Sequence, residues 1–132
     1  MQSVERLFFA NQLENVLLSN NLLYIGNSAF YSCPLNGLIL PDCIKYIGAE
    51  SFKCCRGLTQ VIMPSSLLKI GSFAFAKCNK LEVVCFNGIL KYAGSGIFDE
   101  CSNLKEIHIP KGSLEHYLKM MPFYKDLFVE DE

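Results

Sequence analysis

Residues 55–78 read CRGLTQVIMPSSLLKIGSFAFAKC, and this stretch recurs along the chain. Its first cysteine returns 22 residues earlier and 23 residues later, and the other positions keep the same order. The recurring aromatic and thiol positions are Phe30, Phe52, Phe75, Phe98, Cys33, Cys55, Cys78 and Cys101. Such a period predicts a solenoid, because one repeat is too small to bury its apolar face except against its neighbours. We therefore expect a phenylalanine column and a cysteine column inside the molecule.

Within one repeat the order is C-x-x-L-x-x-φ-x-φ-P-x-x-φ-x-x-I-G-x-x-A-F-x-x-C, where φ is apolar. The φ-x-φ pair predicts a short strand, with Val61 and Met63 inward and Gln60 and Ile62 outward. The proline after it ends the strand, since it has no N–H to donate. A second extended piece ends at the Ile-Gly corner. The spacing of three in A-F-x-x-C predicts a single helical turn.

The second repeat is one residue shorter, because Cys33-Pro34-Leu35 lacks a spacer. The deletion falls in a turn, so we expect it to shift no strand. Stacked rungs about 4.8 Å apart then form a parallel sheet on the concave side. The predicted fold is a short, right-handed solenoid of four to five rungs, with helical turns opposite the sheet and a helical cap at the C-terminus.

Length and composition limit the classes of function. A chain of 132 residues is predicted to be a single domain, and 51% hydrophobic residues supply a core. A net charge of −1 gives no reason to expect nucleic acid or an anionic membrane as partner. No apolar run of about 18 residues is present, so we predict no membrane insertion. MQSVERLFFA has no signal-peptide pattern.

We predict one domain over residues 1–132, divided into an N-terminal half-repeat or cap, the repeats, and a C-terminal cap, at residues 1–12, 13–110 and 111–132. A solenoid needs covered ends. Ser3 is predicted to cap a short helix over the first rung, and Ser113 to cap a second helix that Pro122 ends. That helix is predicted to carry Leu114, Tyr117, Leu118 and Met121, and the residues after it that are predicted to fold back over the last rung are Phe123, Tyr124, Leu127 and Phe128.

The repeat resembles the BspA-like (Treponema pallidum type) leucine-rich repeats, whose rungs read roughly LxxIxLPxxLxxIGxxAFxxC. The resemblance covers about residues 13–110, and the tail from Pro110 to Tyr117 is similar to that family's cap, P-x-G-S-x-x-x-Y. It implies a leucine-rich repeat solenoid of a surface or secreted bacterial protein that adheres to host, matrix or other partner proteins. It implies no catalytic residue and no cofactor. The missing signal peptide leaves a cytoplasmic location as the alternative.

Outward strand positions form two columns on the predicted concave sheet. One holds Asn15, Gly37, Gln60, Val83 and Glu106, and the other Leu17, Ile39, Ile62, Cys85 and His108. An apolar patch on such a face marks a site of binding or assembly. We therefore predict a partner-binding face at Leu17, Ile39, Gln60, Ile62, Cys85, Glu106 and His108. The alternatives are β-branched residues that only favour strands, or a structural end piece or self-associating segment of a larger repeat protein.

Three further groups have competing interpretations. One group, which precedes the Ile-Gly corner at the same position of successive repeats, is Tyr24, Tyr46, Lys69 and Tyr92. It is interpreted either as an exposed row that anchors a partner or as rings that pack along the surface. The cysteine column is interpreted as buried thiols, and disulfides between neighbouring rungs are the alternative. The cysteines lack the close C-x₂-C pairs that zinc sites use. Cys85 beside His108 resembles a thiol nucleophile with its base. An open sheet offers neither an oxyanion hole nor shelter from water, so we predict no enzyme, no metal and no cofactor.

Overall fold

The computed structural model describes the backbone of residues 2–4 and 15–132 and the side chains from Leu18 onward. Within those residues, eleven strands, one α-helix and one 3₁₀ segment follow in chain order. They are β1 Gln2–Val4, β2 Asn15–Leu17, β3 Leu22–Ile25, β4 Gly37–Ile39, β5 Tyr46–Ile47, β6 Gln60–Met63, β7 Lys69–Ile70, β8 Val83–Phe86, β9 Tyr92–Ala93, β10 Glu106–Ile109, α1 Leu114–Met120, the 3₁₀ segment Pro122–Leu127 and β11 Phe128–Glu130.

Two of the faces are parallel β-structure. The φ-x-φ strands form the front face, with β6, β8, β10 and β11 in one sheet and β2 with β4 in another. The strands at the Ile-Gly corner form a second sheet, which we call the side sheet, in the order β1-β3-β5-β7-β9. Equivalent residues pair from rung to rung, such as Val61 with Val84 and Val84 with Ile107. The repeat positions therefore stack as the period predicts.

The front face is not one continuous sheet. Strands β4 and β6 are consecutive rungs, yet among the described residues they form no ladder. The break lies beside the shortened turn, where the Leu35 N–H donates to the Cys33 carbonyl at 2.8 Å. β4 keeps the expected register with β2, Gly37 beside Asn15 and Ile39 beside Leu17, and lacks only the ladder to β6. The shortened turn therefore coincides with a break in the sheet, which the expectation of no shifted strand did not include.

The third face consists of stacked turns instead of the single helical turns expected from A-F-x-x-C. The N–H groups of Ser28, Phe30 and Ser32 donate to the next rung, at Ala49, Ser51 and Lys53, over 2.7 to 2.9 Å. A left-handed residue at every fourth position accompanies these axial bonds, whereas a helix would return its N–H groups to its own carbonyls. Positive φ angles recur in two columns: Ser28, Glu50, Phe73 and Gly96, then Ser32, Cys54, Lys77 and Glu100.

The core contains the two predicted columns. The rings of Phe30, Phe52, Phe75 and Phe98 are stacked, with successive centroids 5.3, 5.0 and 6.1 Å apart. The thiols of Cys55, Cys78 and Cys101 donate to the carbonyls of Phe30, Phe52 and Phe75 at 3.2, 3.3 and 3.0 Å. Each thiol therefore links its rung to the preceding phenylalanine. Burial raises the pKa of Cys55 to about 12, as expected for a thiol that packs as a small apolar group.

Tyrosine hydroxyls cover the last rung. In earlier rungs the phenylalanine N–H donates to the following rung, but at Phe98 it donates to the Tyr124 hydroxyl at 3.1 Å. The Tyr117 hydroxyl accepts from the Leu90 N–H at 3.2 Å and donates to the Gly88 carbonyl at 2.7 Å. Both rings are buried. Tyr124 thus supplies the partner that a further rung would have provided at Phe98. Tyr117 instead bonds the turn around Leu90.

Several predicted details of the ends are wrong. The Ser113 hydroxyl donates to the Pro110 carbonyl, and the Glu130 carboxylate accepts from the N–H groups of Gly112 and Leu114 at 3.1 Å. Glu130 therefore caps α1. Phe123 is 84% exposed, so it does not fold back over the last rung as predicted. Gln2–Val4 is a strand that pairs with β3, so no helix begins at Ser3, and the rest of that predicted helix lies outside the described residues.

Candidate functional site

The outward side chains of the front face form the candidate site. Because side chains alternate along a strand, the residues between the buried φ positions must point to solvent. Ile39 is 68% exposed and Ile62 52%, both large for isoleucine. Backbone pairing places Leu17 beside Ile39, and it places Ile62, Cys85, His108 and Val129 in one row. Leu17 has the expected strand register, although its side chain lies outside the described ones.

The parallel column contains the other predicted positions. Gln60 pairs with Val83 and Val83 with Glu106, while Asn15 pairs with Gly37. Gln60 and Glu106 are exposed, and Val83 is half-buried. The seven residues proposed from sequence thus all occupy front-face strands. The break between β4 and β6 divides them into an N-terminal group, with Leu17 and Ile39, and a C-terminal group.

A cleft of about 450 Å³ lies where the front face divides. Its apolar lining includes Ile39 and Ile62, and its polar lining includes Asn36, Asp42 and Gln60. We call it the β4–β6 cleft. It combines exposed aliphatic side chains with a carboxylate and amides, which is the composition of a recognition pocket for a polar group with an apolar stem.

The other end of the front face is charged. His108 Nε2 lies 2.7 Å from Glu106 Oε1, and Nδ1 lies 3.1 Å from Asp131 Oδ1. The hydrogen bond to Glu106, then that to Asp131, raises the pKa of His108, because both carboxylates favour the imidazolium. This cluster ties the chain after β11 to β10. It makes the C-terminal part of the face acidic and pH-dependent.

Cys85 and His108 are neighbours in the strand register, but they do not form a nucleophile and base. Both ring nitrogens of His108 face carboxylates, and the Cys85 thiol lies 3.4 Å from Asn87 Oδ1. Burial and, next, the charge of Asp131 raise the pKa of Cys85, which lowers its thiolate fraction. This arrangement is the opposite of an activated thiol.

The tyrosine row on the side sheet is packed ring on ring. Tyr24 and Tyr46 stack with centroids 4.8 Å apart and planes 10° apart. Lys69 Nζ lies 5.6 Å from the Tyr46 ring centroid, and Tyr92 follows at 56% exposure. Stacked rings cover each other's faces, which are the surfaces that an aromatic anchor would offer. The geometry favours the structural interpretation of this row.

Sequence reasoning missed three contributors to the front face. Val129 extends the exposed row because β11 pairs with β10, and Asp131 follows on the same segment. Asp42 lines the β4–β6 cleft just after β4. The last strand, β11, does not follow the repeat pattern, so periodicity could not place Val129. The shortened turn was the only available signal for the cleft.

The described part of the chain has neither a cluster of metal ligands nor a helix that could span a membrane. No three His, Cys, Asp or Glu side chains there are grouped so as to hold a metal ion. Within the same residues, none of the helices has the length and apolar character needed to cross a bilayer.

Residues 3–125 match the family model described as the BspA type leucine rich repeat region (6 copies). Because that match includes most of the chain, the protein belongs to the BspA-type leucine-rich repeat family. The resemblance expected from the Ile-Gly, Ala-Phe and Cys columns is confirmed, and the fold is a small leucine-rich repeat solenoid.

A solved structure shows the same architecture. The crystal structure of a leucine-rich repeat protein from Bacteroides ovatus ATCC 8483 is similar, with a TM-score of 0.67 and 28% sequence identity. The similarity covers 86% of this chain and 31% of that one, so this chain spans about a third of the length of its structural relative. A search of curated proteins gave no match.

Proposed function

We propose that the chain is a non-enzymatic protein-binding module that contacts its partner through the front face. The observation that carries this proposal is the exposure of Ile39 and Ile62, 68% and 52%, on strands whose other side builds the core. Exposed β-branched residues on adjoining rungs offer apolar area that needs no rearrangement to be buried. The proposed contact residues are Leu17, Ile39, Gln60, Ile62, Cys85, Glu106 and His108.

Family membership supports binding over catalysis. Leucine-rich repeat domains in general mediate protein interactions, and the Cys85–His108 geometry offers no activated nucleophile. We infer a surface or secreted location, with adhesion to a host or matrix protein, from the family alone. The division into residues 1–12, 13–110 and 111–132 likewise remains a prediction.

The test compares the same substitution on and off the front face. Ile39→Asp with Ile62→Asp places two charges on the proposed surface, while Ile89→Asp places one on an isoleucine that is 45% exposed outside the strands. All three proteins are immobilised and exposed to a panel of purified extracellular-matrix proteins by surface plasmon resonance. We expect wild type and I89D to bind the same members and the double variant to lose at least most of that binding. Unchanged binding by the double variant would refute the front face as the contact surface.

The second candidate function is a self-associating segment of a larger repeat protein. The same exposed isoleucines favour it, because a second copy can bury them as well as a partner can. Light scattering of the wild type distinguishes the two. A dimer that dissociates in the double aspartate variant supports self-association, and a monomer at all concentrations supports capture of another protein.

A further inference from the structure

The β4–β6 cleft has an apolar floor with polar walls. Ile39 and Ile62 supply the floor, and both remain largely exposed in the folded chain. Polar side chains of Asn36, Gln60 and Asn87 also line the cleft. A long side chain with methylene groups and a polar head could bury its stem on the isoleucines and keep its head among the amides.

Backbone carbonyls add to the polar lining. Met63 O accepts from the Asn87 N–H at 3.1 Å, and Thr59 O accepts from the Glu82 N–H at 2.8 Å, so alternate residues of β6 direct their backbone groups to β8. The backbone groups of Gln60 and Ile62, which lie between them, therefore point toward β4. Since β4 forms no ladder with β6 in the described structure, the carbonyls of Gln60 and Ile62 are available as acceptors on the cleft side.

Asp42 gives the cleft its charge. Its carboxylate is exposed and forms no ion pair or hydrogen bond with any described residue. Among the residues that the structure describes, no lysine, arginine or histidine lines the same cleft. The position is fixed, because Pro41 is buried and the Cys43 thiol donates to the Leu22 carbonyl at 2.9 Å. An unpaired carboxylate held at the edge of an apolar cleft attracts a cation.

We propose that the β4–β6 cleft binds an arginine side chain of the partner protein, with its methylenes on Ile39 and Ile62 and its guanidinium on Asp42. This inference rests on the proposed binding function. An aliphatic side chain would instead desolvate Asp42 without a partner, which is costly. A guanidinium has five N–H donors in a planar fork, and it can reach the carboxylate and the adjacent carbonyls together, whereas a lysine acts as a point charge. A volume of about 450 Å³ holds one such side chain and bridging water.

The probe is a blocked pentapeptide, acetyl-Gly-Gly-Arg-Gly-Gly-amide, titrated into the whole chain labelled on its isoleucine methyls. We expect saturable NMR shifts of the Ile39 and Ile62 methyls, and weaker binding of the lysine peptide and of the citrulline peptide, which keeps the shape without the charge. Asp42→Asn should weaken binding of the arginine peptide by up to about fivefold. Asp126→Asn, at an exposed carboxylate in the 3₁₀ segment, is the matched control and should leave it unchanged.

Equal shifts with the citrulline peptide, or binding that is unaffected by D42N, would overturn the arginine site. Ile39→Ser provides a second variant, because it shortens the apolar floor and leaves Asp42 in place, and it should also weaken the arginine peptide. If no peptide shifts these methyls while the Ile39→Asp, Ile62→Asp protein still loses its partner, the arginine proposal fails and the proposed function stands. If that double variant keeps its partner, the binding face itself is wrong.

Discussion

Single residues on the turn face carry unusual backbone angles. Phe73, Glu50 and Cys54 have φ of +59°, +56° and +64°, a region that disfavours side chains with a Cβ by about 1–2 kcal/mol. The compensation is visible in the axial hydrogen bonds, since the N–H of Phe73 donates to Ser95 O and that of Cys54 to Ala76 O, at 3.0 and 2.8 Å. Stacking therefore supports a conformation that none of these residues favours alone.

Gly96 occupies the same column and permits a test. It has φ +63°, and a Cβ there would lie 2.5 Å from Cε1 of the Phe73 ring. Gly112 has φ +82°, with nothing within 4 Å of such a Cβ. Gly112→Ala should lower the free energy of unfolding by about 1 kcal/mol for the backbone alone. Gly96→Ala should cost clearly more, because the ring must also move. Denaturant unfolding measures both, and equal losses would show that the contact with Phe73 is unimportant.

His108 makes stability depend on pH in a defined direction. Its folded-state pKa is raised above the ordinary 6.5 by the hydrogen bonds to Glu106 and Asp131. A raised histidine pKa contributes stability that is fully present below 6.5 and is lost as pH rises through the folded-state pKa. The difference in unfolding free energy between wild type and His108→Gln should therefore shrink as the pH rises above 6.5 and through the folded-state pKa.

Urea unfolding at several pH values measures that difference. Replacing both partners, Glu106→Gln with Asp131→Asn, should remove the same pH dependence while leaving the histidine in place. A difference that stays constant with pH would contradict the assignment, as would a pH dependence that survives the loss of both carboxylates.

At the scale of elements, the strands were predictable and the turns were not. Alternation in φ-x-φ with a following proline has one interpretation, and the buried and exposed residues of β6 agree with it. A spacing of three in A-F-x-x-C fits a helical turn and also two successive tight turns. Left-handed angles decide between them, and residues such as Glu50 and Phe73 give no sequence signal of the kind that glycine or asparagine gives.

The C-terminal cap acts through its tyrosine hydroxyls, so Tyr124→Phe should destabilise the chain. The substitution keeps the ring and leaves the buried Phe98 N–H without its acceptor, at a cost of about 1–3 kcal/mol. Tyr92→Phe, at a side chain that is 56% exposed, is the control and should change stability little. Denaturant unfolding gives the loss, and hydrogen exchange should become faster at the Phe98 amide in particular. Equal effects of the two substitutions would contradict this role of the hydroxyl.

At the scale of the molecule, the repeat period predicted the stacked core columns. The candidate site instead lies where the repeat is broken. Phe30 through Phe98 stack because identical positions in identical rungs must coincide. The β4–β6 cleft arises where one rung is shorter, and the acidic cluster arises where a segment outside the repeats supplies Asp131. Pattern reasoning treats both as irregularities. Only the packed chain shows that a missing residue opens the front face, and that a tail strand continues it through Val129.

A short solenoid whose rungs share one core should open as one unit, and its thiols can test this. All seven cysteines lie in the described chain as thiols; Cys55 and Cys78 are fully buried, while Cys43 and Cys85 are partly exposed. Neighbouring rungs share one core, so freeing either buried thiol requires loss of the phenylalanine stack on both sides. We expect Cys43 and Cys85 to react with iodoacetamide in the native state, and Cys55 and Cys78 only through unfolding.

Mass spectrometry of timed iodoacetamide labelling across a urea series gives an opening free energy for each thiol. The values for Cys55 and Cys78 should agree with each other and with the global free energy of unfolding from circular dichroism. If Cys55 instead opens at a much lower free energy than Cys78, the rungs on the two sides of the front-face break unfold separately. That result would mean the shortened rung divides the core as well as the sheet, and the solenoid would then be two cooperative units.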